Sequence, residues 1–344
     1  MKYKDQQDVL NFEKIDEALC DMPAFMRDFA NEYRGNQAST RTILGYIGDI
    51  DTFFYYLEAE LGIPKKDLTL EVLEKLSALQ ISRFKAFLAS YKGRDGLIYT
   101  NKSVAVNRKL TAVRQLYKFL YNMDMITQNP SVKLTFVPVK AEDANREIVA
   151  LDAAEVQRLK DSVIYGDGLT DSQQKHNRGN SFRDQAIIVL LLATGMRVSE
   201  CVGLNLDDFF PERMLVRITR KGHRRAQEVH INEEAVVAVK EYIQNERRPS
   251  ELDPDALFIS RKGQRITQRS VERLVKKYAA ASGTAKKITP HKLRATYGTA
   301  LYEKTRDINA VGTRLGHTSI DVASKKYIRP SASVDFESSQ EDLY

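Results

Sequence analysis

Residues 182–200 read FRDQAIIVLLLATGMRVSE. The apolar run at 186–193 is eight residues, far short of the roughly 20 that span a membrane. It is apolar nearly all round, which predicts a central, buried helix rather than a surface one. Gly195 is a natural helix stop, and a second helix is expected just after it. That places Arg197 at a tight junction between two helices, with Glu200 one turn later.

The surrounding chain has 344 residues, long enough for two domains, each able to bury a core without disulfides or a structural metal. It is 42% hydrophobic and 29% charged, which argues against a disordered chain. Two cysteines, Cys20 and Cys201, cannot build a disulfide framework, and their spacing suggests no zinc site. The N-terminus mixes Lys2, Lys4, Asp5 and Asp8 without an apolar stretch, so no secretory signal is expected and a cytoplasmic location is.

Upstream, the periodicity is helical. Leu44, Ile47, Ile50, Phe54, Leu57 and Leu61 form one stripe, with Ser39 or Thr40 as cap and Gly62 and Pro64 as the stop. A second helix carries Ile81, Phe84, Leu88 and Tyr91, and a third Val106, Leu110, Val113, Tyr117 and Leu120. Lys102, Arg108, Lys109, Arg114 and Lys118 lie mainly on other faces of the third helix, suited to phosphates. Asn129-Pro130, Pro138 and the polar residues 141–146 read as a linker. The expected division is 20–128 for a helical binding domain, 129–149 for the linker, 150–330 for a second domain and 331–344 for an acidic tail. Within the second domain, 165–181 is expected to be an exposed loop. Residues 214–219 and 227–231 are expected to be strands around a basic turn, RKGHRR, at 220–225.

The net charge is +7, but its distribution says more. Residues 81–120 hold nine Lys or Arg against Asp95 alone, and residues 261–294 hold eleven against Glu272 alone. One basic block is ordinarily a solvated face. Two, one in each expected domain, point to a polyanion held from two sides. The final fourteen residues carry four acids and no base.

Four short clusters follow in order: Arg197 within ATGMRVSE, Lys221 in the basic turn, His291 and Arg294 within HKLR, and LGH with His317, ten residues before Tyr327. Thr289 and Pro290 suit the cap and first turn of a helix carrying His291 and Arg294 three residues apart. Taken singly each has an ordinary reading: a surface arginine, an exposed turn lysine, a structural His-Arg pair, one tyrosine among sixteen. Together and in this order they resemble the tyrosine site-specific recombinases, or phage integrases, closest in look to bacterial Xer-like recombinases and mobile-element integrases. The likeness extends over roughly residues 20–330. Where many members carry a second histidine just after the arginine of HxxR, this chain has Ala295.

The resemblance implies a mainly α fold with a small β-hairpin or sheet in the catalytic domain. A helical SAM-like core-binding domain and the catalytic domain would together clamp DNA. It implies that Tyr327 attacks a phosphodiester to form a 3′-phosphotyrosyl link, later attacked by the 5′-hydroxyl of a second duplex. Arg197 and Arg294 would hold the non-bridging oxygens, since guanidinium is planar, always charged and binds two oxygens at once. Tyrosine ionises near ~10, so its proton needs an acceptor, and His291 is the candidate. Lys221 would protonate the leaving 5′-oxygen and His317 would hydrogen-bond the phosphate. Lys102, Arg108, Arg114 and Lys118 are the candidate DNA contacts. No cofactor and no metal are expected: there is no G-x-x-x-x-G-K-[ST] loop, and the paired acids Asp207-Asp208 and Glu233-Glu234 lack a third ligand. The implied partners are a double-stranded recombination site and three further copies of the chain in a homotetramer, with no membrane. A second recombinase or accessory protein is left open, as is the choice between chromosome dimer resolution and a mobile element. Type IB topoisomerase-like relaxation and a non-catalytic DNA-binding protein on the same fold are the alternatives.

Overall fold

A computed structural model describes residues 3–139, 149–177, 179–220, 226–249, 251 and 253–316. The chain folds as two compact units, Met1–Arg146 and Glu147–Tyr344.

The described part of the first unit is built from α1 (Tyr3–Leu19), α2 (Phe25–Gly35), α3 (Thr40–Leu61), α4 (Leu70–Lys75), α5 (Ala78–Ala89), the hairpin β1 (Ser90–Lys92) and β2 (Ile98–Thr100), and α6 (Ser103–Asn122). The helical stripe of α3 buries Ile43, Ile47, Ile50, Phe54 and Leu57. Ser39 caps it by accepting from the Thr42 N–H, and Gly62 closes it in the left-handed conformation. α3 packs chiefly on α6, whose Val106, Leu110, Val113, Tyr117 and Leu120 are buried as their spacing predicts. Phe53 and Phe84 meet edge-on at 5.0 Å, and Phe29 and Phe119 at 5.5 Å, which adds geometry to apolar burial.

Two features depart from the sequence expectation. The second helix does not run through Tyr91: it ends at Ala89, and Tyr91 pairs with Tyr99 across an antiparallel hairpin. The Gly93-Arg94-Asp95-Gly96 turn, with Gly96 at φ +79, decides for a strand over another helical turn. Residues 129–139, where the periodicity breaks, are held against the first unit. Asn107 donates to the Val137 carbonyl and accepts from its N–H, both at 2.8 Å, and Ser131 and Leu134 are buried.

The second unit contains α7 (Ala153–Ile164), α8 (Asp171–Asn177), α9 (Ser181–Thr194), α10 (Val198–Val202), strands β3 (Phe209–Phe210), β4 (Leu215–Ile218) and β5 (Gln227–His230), α11 (Glu233–Asn245), α12 (Gln268–Ala281), α13 (Pro290–Thr305) and α14 (Ile308–Leu315). α9 is central, packed by α7, α11 and α13, and residues 186–191 are buried. Its N-terminal N–H groups have a partner: the Glu246 carboxylate accepts from Phe182 and Arg183. The two expected strands pair antiparallel, with Leu215 opposite His230, and β3 adds a third. The stretch 165–181 is not a bare loop. It carries α8, buries Leu169, and places Asn177 where Tyr278 donates to it at 2.6 Å. Among the described residues no helix is long and apolar enough to cross a membrane.

Candidate active site

α9 ends at Gly195, whose φ of +59° suits glycine, and a Cβ there would lie 2.5 Å from the Tyr297 ring and 2.8 Å from Leu315. The close approach lets the chain turn directly into α10, at whose N-cap Arg197 sits, half-buried. The Glu200 carboxylate accepts from the Arg197 backbone N–H and from its guanidinium, both at 2.8 Å. One acid thereby holds the backbone and side chain of the first motif arginine together.

α13 begins as predicted, with Thr289 at the N-cap and Pro290 in the first turn, although the Thr289 side chain makes no capping bond. His291 is exposed on the first turn, and Arg294, three residues on, is buried. The Arg294 guanidinium donates from one terminal nitrogen to the Gly195 carbonyl at 2.7 Å and from the other to the Leu315 carbonyl at 2.5 Å. Both motif arginines are thus tied to the Gly195 turn, one by chain continuity and one by a hydrogen bond.

Sequence reasoning missed Arg220. Read as the first residue of a solvated basic turn, it is only 2% exposed. Its Nε donates to Gln227 at 2.5 Å, and its terminal nitrogens to the Leu315 and Arg314 carbonyls at 2.6 Å each. It also lies 3.7 Å from the Glu200 carboxylate. Burial makes its proton easier to lose than an ordinary guanidinium's; Glu200 opposes that effect and the like charge of Arg197 adds to it. A signal was available: residues of a strand alternate, and Val216, Ile218 and Arg220 share the inward direction.

The contacts close a ring. Arg197 binds Glu200, Glu200 faces Arg220, Arg220 and Arg294 bind Leu315, and Arg294 returns to Gly195. Residues separated by about a hundred positions meet at one point. Lys221, His317 and Tyr327 lie outside the described residues. Cys201, next to Glu200 in the chain, is fully buried, and burial first and then Glu200 push its thiol up to about 12, away from the thiolate form. Among the described residues no three His, Cys, Asp or Glu side chains come together as metal ligands.

In the first unit, Lys102, Arg108 and Lys118 are exposed on or beside α6. Arg108 reaches the buried Asp49 at 2.5 Å, where Lys109 is a second cation at 3.3 Å. Arg114 is committed to its own unit: it donates to the Leu134 carbonyl, and its guanidinium lies 4.4 Å from the Phe136 ring centre.

Residues 151–333 match the phage integrase family. The tyrosine recombinase XerS of Streptococcus pneumoniae (strain CGSP14) is 31% identical over 90% of this chain and 93% of its own. The chain belongs to the phage integrase family. It is a tyrosine recombinase, an enzyme of site-specific DNA recombination. Its fold is shared with the XerH recombinase bound to a palindromic difH substrate (TM-score 0.69, 19% identity, 98% of this chain and 90% of that one). The Tn1549 transposon integrase in complex with circular intermediate DNA is also alike (TM-score 0.63, 20% identity, 93% and 99%). The mainly helical fold with small antiparallel sheets is therefore that of the two-domain recombinases.

Proposed function

We propose that this recombinase acts on a double-stranded site with Arg197, Lys221, His291, Arg294, His317 and Tyr327 as its catalytic set. Tyr327 Oη forms a bond to phosphorus while the bond to the 5′-oxygen breaks. The tyrosine proton passes to His291, and Lys221 protonates the departing oxygen. Arg197, Arg294 and His317 bind the non-bridging oxygens, where charge concentrates. The 5′-hydroxyl of a partner duplex then reverses the step. The phosphodiester energy is kept, so no nucleotide is consumed, and the arginines and His317 supply the positive charge that a metal would otherwise bring. What supports the reading above all is the ring that joins Arg197 to Arg294 and ends at Leu315, two residues before His317.

The first unit acts as the core-binding domain, with Lys102, Arg108 and Lys118 on phosphates and Arg114 holding Leu134 and Phe136. Recombination proceeds in a homotetramer, in the cytoplasm on the nucleoid. The acidic tail at 331–344, with Val334, Phe336, Leu343 and Tyr344, contacts a neighbouring protomer. The likeness to XerS over nine-tenths of both chains favours a site of the Xer kind. The test is cleavage of a nicked site in excess EDTA without nucleotide. Covalent adduct is expected at the full rate; loss of cleavage with intact binding, or relaxation of supercoils with no defined site, would contradict it.

A further inference from the structure

Arg220 lies outside the six motif residues, yet every edge of its guanidinium is hydrogen-bonded beside them. α14 ends with unsatisfied carbonyls, as every helix does. Arg220 takes two of them, Arg314 and Leu315, in a single fork, and a positive charge there suits the helix C-terminus. Gln227 on β5 fixes the third edge of the guanidinium and also donates toward the Thr313 carbonyl at 3.4 Å. Gly316 is shaped around this group: its φ is +61°, and a Cβ would fall 2.4 Å from the Arg220 Cδ. Glu200 supplies the counter-charge that burial of a cation requires.

The chain neighbours give the arrangement its meaning. Lys221 is bonded directly to Arg220, and His317 directly to Gly316. We infer that Arg220 is a positioning residue for Lys221 in the recombination reaction, tying the chain just before that lysine to the end of α14. This rests on the role proposed above for Lys221. Lysine at 220 would not serve, because one ammonium cannot span two carbonyls and a side-chain oxygen in a plane.

The experiment compares cleavage of an ordinary nicked duplex with one whose scissile 5′-oxygen is sulfur. There the P–S bond breaks, and the thiolate leaves without needing a proton, thiols being far more acidic than alcohols. Arg220→Gln and Arg220→Lys are expected to bind the duplex within about twofold of wild type yet cleave the ordinary substrate about a hundredfold more slowly, the scale of one misplaced general acid. On the sulfur substrate most of that defect should vanish, as it should for Lys221→Ala. Gln227→Ala, a milder change, should show the same pattern at about tenfold and carries the comparison if the arginine variants do not fold. Wild-type cleavage by the Arg220 variants would overturn the proposal. So would an Arg220 defect that persists on the sulfur substrate while the Lys221→Ala defect is erased. A Lys221→Ala defect that survives there would remove the acid role of Lys221, and the positioning role with it.

Discussion

Arg220 and Arg294 donate to one oxygen, the Leu315 carbonyl, at 2.6 and 2.5 Å. A carbonyl has two lone pairs, so it can accept both. Two buried cations side by side repel, and the repulsion is offset by the carbonyls at the end of α14 and by Glu200. The chain brings two guanidiniums to the end of the helix from which His317 follows. For an enzyme whose substrate carries the missing negative charge, that density of cations is useful as well as costly.

Arg294→Lys keeps a charge but loses the fork that binds Gly195 and Leu315. Cleavage should fall by about a thousandfold, as loss of a transition-state partner does, while duplex affinity changes little. Single-turnover cleavage checks this; a loss in affinity alone would contradict it.

Gly195→Ala would force a side chain into the left-handed region, 2.5 Å from the Tyr297 ring. Strain and overpacking together should destabilise the second unit by about 2–4 kcal/mol. Urea unfolding of wild type and variant measures it. Equal midpoints would mean that the turn is not tightly packed.

Lys118→Ala should lower the slope of log affinity against log salt by about 0.9, the share of one phosphate. Arg114→Ala should act differently. Its guanidinium holds Leu134 and Phe136, so the variant should lose about 1–2 kcal/mol of stability with little change in salt slope. Titrations at several salt concentrations, paired with unfolding curves, separate the two. The reverse assignment would show Arg114, not Lys118, on the phosphates.

The Lys286 ammonium beside Glu155 holds its carboxyl down at about 2, with the Asp152 N–H and Thr284 hydroxyl also donating to it. A carboxylate held low in the folded state stabilises it above the unfolded pKa, near ~4.3. That contribution is lost as pH falls from there toward 2. Glu155→Gln should therefore flatten the acid limb of the stability curve between those values and leave its shape near neutrality unchanged. An acid limb as steep as wild type would contradict the pairing.

Much of this was legible in the sequence because single residues carried it. Gly62 and Gly195 announced two helix ends by their freedom at positive φ, and Pro290 a helix start. The stripes of α3 and α6 named their own buried faces. What escaped was decided by partners distant in sequence. Tyr91 fits a helical stripe as well as a strand, and only its pairing with Tyr99 settles the matter. Arg220 looked like one charge in a basic run, since its acceptors lie 94 and 95 residues away. Nor did the sequence show that Arg114 donates to the Leu134 carbonyl, twenty residues on.

The most direct measurement is to trap the covalent adduct on a nicked site, digest it and locate the phosphotyrosine by mass spectrometry. The DNA is expected on Tyr327, and Tyr327→Phe, which removes one oxygen and keeps the ring, should bind DNA normally and form no adduct. A phosphotyrosine at Tyr297, Tyr302, Tyr344 or any other position, or an adduct that survives Tyr327→Phe, would contradict the assignment.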